Sequence, residues 1–228
     1  MIKFLSLSLV LAFSASVFAQ NKESRDCQAF SGVEVSKGAN LTLLQDKSKS
    51  GLEIVCDGCP TSDVETVVKN GILSVKMKKR TAGSAVQVTV YFSDINSIEV
   101  KRGASIETAT GCQFSHKGKL TLGVGAQSEV ELDIDVDELE VDANTCLIKL
   151  DGRADVQNVT IAGTVGQSTY DASGLKSRTV KIRATETDAH VAFSEKLDAE
   201  AVHCTIKYDG DDSNVTKSEK LGGEVVAE

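Results

Sequence analysis

The chain has 228 residues, a formal net charge of −8, six cysteines, one proline and no tryptophan. A negative balance without a basic tract argues against a nucleic-acid partner or attachment to anionic lipid. Helix signals are weak and Val, Thr, Asp and Gly are plentiful, so the composition points to an all-β chain of one domain or two small ones.

Residues 1–19 read as a signal peptide. Met1-Ile2-Lys3 is a short basic start, Phe4 to Phe18 is apolar with interspersed serines, and Val17-Phe18-Ala19 supplies the −3 and −1 positions of a cleavage site. The run is too short and serine-rich for a membrane span. No cysteine stands at the cleavage point and no second hydrophobic stretch is present, so neither a lipid anchor nor membrane insertion is expected after cleavage. The mature protein is expected to start near Gln20 and to reach the periplasm, the outer surface or the medium. Loss of Lys3 leaves 24 bases against 33 acids, a net charge of −9. The intact mass of natively expressed protein should lack residues 1–19, and a mass that still includes Met1 would refute export.

Residues 26–80 read as a smaller, irregular β region. Phe30, Val33 and Val35 lead in, and Leu41, Leu43 and Leu52 to Val55 come next. Asn70-Gly71, between Val64–Lys69 and Ile72–Met77, predicts a two-residue hairpin. Val86, Val88, Val90 and Phe92 then alternate with polar neighbours as a half-buried strand. Ile95, Ile98 and Val100 precede Gly103-Ala104-Ser105-Ile106, an irregular first turn of the repeat region.

Residues 81–210 carry a coarse repeat. Its first strands start at Leu120, Leu139, Val159, Val180 and Leu197, at steps of 19, 20, 21 and 17 residues. The second strands are Val130-Glu131-Leu132, Ile148-Lys149-Leu150, Tyr170-Asp171-Ala172, Val191-Ala192-Phe193 and Ile206-Lys207-Tyr208. From Leu120 to Val136 even positions are apolar or small and odd positions polar or Gly, which buries one face. The phase slips at Asn144-Thr145, after which Cys146, Ile148 and Leu150 point inward and Asp151-Gly152 ends the strand. Ser128, Cys146, Ser168, Ala189 and Cys204 then share one inward column of small residues. Two strands and two turns per repeat predict a single-stranded parallel β-helix, a solenoid, right-handed as parallel crossovers almost always are. An antiparallel sandwich competes, but after Asn70-Gly71 no clear two-residue hairpin signal appears. The corners carry Gly123/Gly125, Gly163/Gly166 and Ser173-Gly174 instead. Residues 211–228 are left as a C-terminal cap or tail.

Two stretches, Phe30-Ser31-Gly32-Val33-Glu34-Val35 and Val64 through Asn70-Gly71 to Val75, resemble the head GIN domain of auto-transporter adhesins. So do the small-residue turns that end in Ile206-Lys207-Tyr208-Asp209-Gly210. The resemblance covers nearly the whole mature chain. It implies a secreted or surface protein of gram-negative bacteria, a single-stranded β-helix and adhesion, and it brings no catalytic residues. The six cysteines depart from that family, as do Asn144-Thr145 and Thr187-Asp188 at corners where it tends to place Ser-Gly.

Candidates for chemistry are few. Cys56-Asp57-Gly58-Cys59 has the spacing of a redox dithiol or half a zinc site. No helix pattern comes after it to lower a thiolate pKa and no second such pair exists, so a small structural disulfide between Cys56 and Cys59 is the expectation for an exported chain. Cys27 and Cys112 remain as the other possible bridge, while Cys146 and Cys204 should be buried free thiols. His190 and His203 both point outward on neighbouring turns and could share a metal. Asp209 and Asp211, with Asp212, crowd the end of the last turn, and Asp133, Asp135 and Asp137 line one strand; either group could hold calcium, or be a solvated acidic face. No cofactor is expected.

The reading is therefore a non-catalytic, adhesin-like binding module with an unidentified surface partner, protein or glycan. The alternative is a β-helix enzyme acting on polysaccharide. Against it stand the four Phe, three Tyr and absent Trp of the mature chain, too few for sugar stacking, and the lack of an acidic pair aligned with Arg or Lys.

Overall fold

The structure, a computed structural model, describes residues 21–79, 85–164 and 168–228; the signal segment and Gly166 lie outside them. The first nine strands are β1 (Asn21–Asp26), β2 (Gly32–Ser36), β3 (Asn40–Gln45), β4 (Gly51–Asp57), β5 (Val64–Lys69), β6 (Ile72–Met77), β7 (Ala85–Phe92), β8 (Ser97–Lys101) and β9 (Ser105–Thr108). Next come β10 (Phe114–Val124), β11 (Glu129–Asn144), β12 (Leu147–Ala162), β13 (Thr169–Lys176) and β14 (Thr179–Thr185). The last are β15 (Asp188–Ala192), β16 (Lys196–Val202), β17 (Thr205–Asp209), β18 (Val215–Lys220) and β19 (Glu224–Ala227).

All nineteen strands join one curled sheet, and that sheet is mixed. Antiparallel pairs occur near the N-terminus: β1 with β4, β4 with β7, and β5 with β6. From β8 onward every pairing among the described residues is parallel, and from β13 each strand pairs with the next but one. The irregular N-terminal region and its Asn70-Gly71 hairpin are thus present as expected, and they make the sheet mixed rather than parallel throughout. The β5–β6 pair comes from the tight hairpin there. Asn70 and Gly71 take φ of 52° and 75°, the double left-handed turn that folds β6 back on β5. Strand β2 then pairs in parallel with both β6 and β8, and β3 with both β7 and β9, so the two regions share one sheet.

Strands β11 and β12 each run for 16 residues and cross a bend of the curled sheet. The crossing is visible in burial. Even positions point inward through Val136, then odd ones from Leu139 to Ala143. The flip falls at Asp137-Glu138; the ladder to β12 skips Asp137 and resumes in the same register at Glu138. The expected slip at Asn144-Thr145 is also present, as a corner with Thr145 at φ 45°. Asp151-Gly152 does not end a strand, because β12 continues through Gly152 in a left-handed conformation, φ 103°.

The corners stack. Arg102, Gln127, Thr145, Glu186 and His203 all have positive φ, between 45° and 60°. Each such residue costs about 1 kcal/mol or more relative to a right-handed conformation. Backbone bonds from corner to corner offset that cost: Gln127 N–H donates to the Thr145 carbonyl at 2.9 Å, and Thr145 N–H to that of Ala162 at 3.0 Å.

On the inner side of the curled sheet, side chains stack in columns one strand spacing apart. Leu73, Val33, Ile98, Leu122, Val141, Val159, Ile182 and Ala199 form one unbroken buried column. The structure corrects the expected alignment here. The partner of Leu139 is Gln157, not Val159, so the third first-strand starts two residues early. In the second strands Tyr170 faces Ala189 rather than Val191. The small-residue corner column is therefore Ser128, Cys146, Ser168, Thr187 and Cys204, with Thr187 where Ala189 was expected. Both errors have one origin: a buried glutamine and a buried small residue look like surface or loop in a hydrophobicity pattern.

Cys146 and Cys204 stand three rungs apart in that column, separated by Ser168 and Thr187. At about 4.8 Å per rung their Cα atoms lie about 14 Å apart, twice the reach of a disulfide. Burial also pushes the Cys146 thiol up to about 11, which leaves little thiolate at neutral pH. Peptide mapping without reduction should find no Cys146–Cys204 link; finding one would refute this register.

Candidate binding faces and metal cluster

Parallel register carries side chains of one kind into ladders on the outer side of the curled sheet. On one face Glu131, Lys149, Asp171, His190 and Lys207 are lateral neighbours on successive strands. Lys149 Nζ lies 2.7 Å from Glu131 Oε1. Beside them Leu147, 44% exposed, lines a shallow groove of about 440 Å³ with Glu129, Thr169 and Asp171.

A second groove of about 490 Å³ is lined by Glu140, Asp142, Lys181, Arg183, Asp198 and Glu200. Arg183 Nε and Lys220 Nζ hold Glu200 at 3.0 and 2.7 Å, and both bonds keep that carboxyl below the usual carboxylate range. Four acids against two bases make this groove polar and net negative. Surface pairs of this kind add little stability, and the ladder arrangement has its effect on the potential offered to a partner.

Among the candidate ligands, the structure brings some together and separates others. His190 sits mid-strand in β15, opposite Lys207, and its ring leans diagonally toward the end of β17. Its Nε2 is 3.0 Å from Asp209 Oδ2 and 2.8 Å from Glu228 Oε2. His203 is not part of this cluster. It occupies an exposed corner four residues before Lys207, because the chain must turn there to enter β17. Asp211 is also elsewhere engaged: its carboxylate accepts the Ser213 N–H at 2.9 Å and caps the 3-10 turn Asp212–Asn214. Those Ser213 bonds, backbone first, hold its carboxyl below the ordinary value. Glu228 was missed because an alignment that stops at Gly210 leaves β19 without a register. Strand β19 pairs with β17, and the Glu228 N–H donates to the Tyr208 carbonyl at 3.1 Å.

The acidic row on β11 is partnered by protein groups. Asp133 accepts from Gln113 Nε2 at 2.7 Å, Asp135 pairs with Arg153 at 2.7 Å, and Asp137 accepts the Gly118 N–H at 2.8 Å. Each carboxylate of this surface row thus already has a protein partner.

All six cysteines are free thiols in the structure, so the expected Cys56–Cys59 bridge is not formed here. The two are nonetheless neighbours. Both are buried, and desolvation, with a smaller effect from a hydrogen bond with Cys59, pushes the Cys56 thiol up to about 12. That is the reverse of an activated redox thiolate. Cys27 lies beside Thr66 to Val68 and Leu73, whereas Cys112 is on the loop after β9, where its N–H donates to Ala109.

The family described as "Putative auto-transporter adhesin, head GIN domain" matches residues 29–211. The chain belongs to this family. Three crystal structures are similar to this head GIN chain. A "putative adhesin" from Bacteroides fragilis aligns at 16% identity and TM-score 0.80, over 92% of this chain and 97% of that one. A "putative adhesin" from Parabacteroides merdae aligns at 15% and 0.71, over 92% and 96%. A "putative lipid binding protein" from Parabacteroides distasonis aligns at 14% and 0.64, over 92% and 96%. At such identities they share the fold. Among curated proteins, none matches the chain.

Membership agrees with an exported or surface protein and with a binding rather than catalytic role. No helix among the described residues is long and apolar enough to cross a membrane.

Proposed function

We propose that this head GIN chain is an exported, non-catalytic binding module that offers its outer charge ladders to a protein or glycan on a surface. The observation that carries the reading is the negative groove over Glu140, Asp142, Lys181, Arg183 and Glu200, a long polar face rather than an enclosed pocket. Such a face suits an extended partner with its own alternating charge or hydroxyl groups. Its acidity disfavours an anionic membrane.

The coil itself reads as a single-stranded right-handed parallel β-helix. Support comes from the parallel pairing of β8 to β19 and from the handedness of parallel crossovers. On this reading residues 26–80 are the lead-in, 81–210 the repeats and 211–228 the cap. The neighbouring Cys56 and Cys59 close a disulfide once the chain is exported to an oxidising compartment.

The test is a glycan and protein array probed with wild type and with the double variant Lys181→Glu/Arg183→Glu, beside a turnover assay on acidic polysaccharides. Binding that weakens at least about tenfold in the variant, without turnover, supports the module. Depolymerisation of any polysaccharide would overturn it in favour of an enzyme.

A further inference from the structure

Away from the negative groove, His190, Asp209 and Glu228 bring three metal-ligating side chains to one point, their donor atoms all within 4.8 Å of one another. We propose that these three residues form a binding site for one divalent cation of the first transition row.

The spacing fits such an ion. Ligand atoms at right angles, each about 2.1 Å from a metal, stand about 3.0 Å apart. The His190 Nε2 lies 3.0 Å from Asp209 Oδ2 and 2.8 Å from Glu228 Oε2. One imidazole and two carboxylates form a mixed nitrogen and oxygen donor set, which suits zinc, iron or manganese better than the all-oxygen shell of calcium.

The supporting backbone is regular. His190 is in mid-strand, Asp209 closes β17 with its carbonyl accepting the Phe193 N–H at 3.0 Å, and Glu228 is pinned to Tyr208. Among the described residues Lys207 is the one competing cation placed against these ligands. Its Nζ lies 3.5 Å from Glu228 Oε1, the oxygen turned away from His190, so Oε2 is left to the site. Asp171, beside His190 on β13, adds a further negative charge, itself held by Ser173.

The His190 side chain is 23% exposed and the two carboxylates 50% and 48%. The ion would therefore have protein on one side and open coordination positions on the other, where water or an acidic group of a partner completes its shell.

The test uses the full exported chain, stripped with chelator and titrated with zinc chloride by calorimetry. One equivalent should bind. His190→Ala and Glu228→Gln should each weaken it at least about tenfold, the size that even outer-shell changes produce. His203→Ala and the Cys56→Ser/Cys59→Ser variant should bind as wild type. Cobalt chloride supplies a second readout that needs no variant to fold: nitrogen and oxygen ligation lacks the intense near-ultraviolet band of a thiolate–cobalt bond. No zinc uptake by the wild type, uptake that survives His190→Ala, or a thiolate band with cobalt would each overturn the proposal. None of these outcomes bears on the array result, so the two ideas fail separately.

Discussion

Gly152→Val should lower the melting temperature by about 10 °C or more, whereas Gly71→Val should lower it by only a few degrees. The two glycines have positive φ, 103° and 75°, but very different surroundings. A Cβ at Gly152 would lie 2.1 Å from the Ile134 carbonyl oxygen and 2.8 Å from both Asp133 Oδ1 and Gln113 Nε2. The oxygen belongs to the backbone of the neighbouring strand β11, so it cannot swing away as a side chain would. Relief requires the β11–β12 ladder to open near its bend, which we expect to cost roughly 3–5 kcal/mol. At Gly71 the nearest atom to a Cβ is Ser31 Oγ at 3.5 Å, ordinary contact. There only the left-handed backbone is penalised, about 1–2 kcal/mol, and more for a branched side chain than for Ala. Thermal unfolding monitored by circular dichroism compares the two directly. Equal shifts would mean that Gly152 is not wedged against β11 and that the bend is misplaced.

Tyr170→Phe should destabilise the chain by about 1–3 kcal/mol although it removes a single oxygen. Gln157 is fully buried, and its amide is engaged at both ends: Nε2 donates to Ser177 Oγ at 2.6 Å, and Oε1 accepts from Tyr170 Oη at 2.9 Å. Burial drives the Tyr170 phenol above its ordinary pKa, so it stays a donor throughout the pH range in which the protein is handled. Deleting the hydroxyl strands the Gln157 carbonyl oxygen in an apolar column between Leu139 and Val180. Gln157→Leu should cost a similar amount, by stranding the Tyr170 and Ser177 hydroxyls instead. The double variant Gln157→Leu/Tyr170→Phe should cost clearly less than the two singles together, because each single leaves behind what the other removes. Urea unfolding of the four proteins measures this coupling. Strict additivity would show that the two side chains do not meet.

Much of the architecture was legible because burial in a half-exposed strand imposes a period of two. The hairpin strands flanking Asn70-Gly71 have the bounds read from sequence, since that dipeptide meets a backbone requirement few others meet. Alternation from Leu120 to Val136 likewise marks the inward face along both strands, failing only around the corner between them, where Gly123 is buried and Ala126 exposed. The corners were harder. Gln127, Glu186 and His203 adopt left-handed φ without being Gly, and no residue preference announces them. Their conformation is set by bonds to the corners above and below, which no local stretch contains.

For the candidate cluster, the sequence by itself offered His190 and Asp209 as metal-capable residues near the last repeat, together with His203 and Asp211, and had no means of choosing among them. Their spacing along the chain is similar; their spacing in space depends on register. A shift of two residues keeps every apolar side chain inward, so hydrophobic patterning cannot distinguish it. That degeneracy lets Val159 and Val191 stand in for Gln157 and Ala189 two positions earlier, while Glu228 lies beyond Gly210, where the repeat pattern ends. The sequence alone determined that the chain is all-β, that alternate residues face a continuous core and that a tight hairpin reverses the chain early. Only the tertiary structure decided which rung lies beside which. That choice rests on contacts between residues far apart along the chain: the buried bonds of Gln157, the close fit at Gly152 and the corner-to-corner backbone bonds.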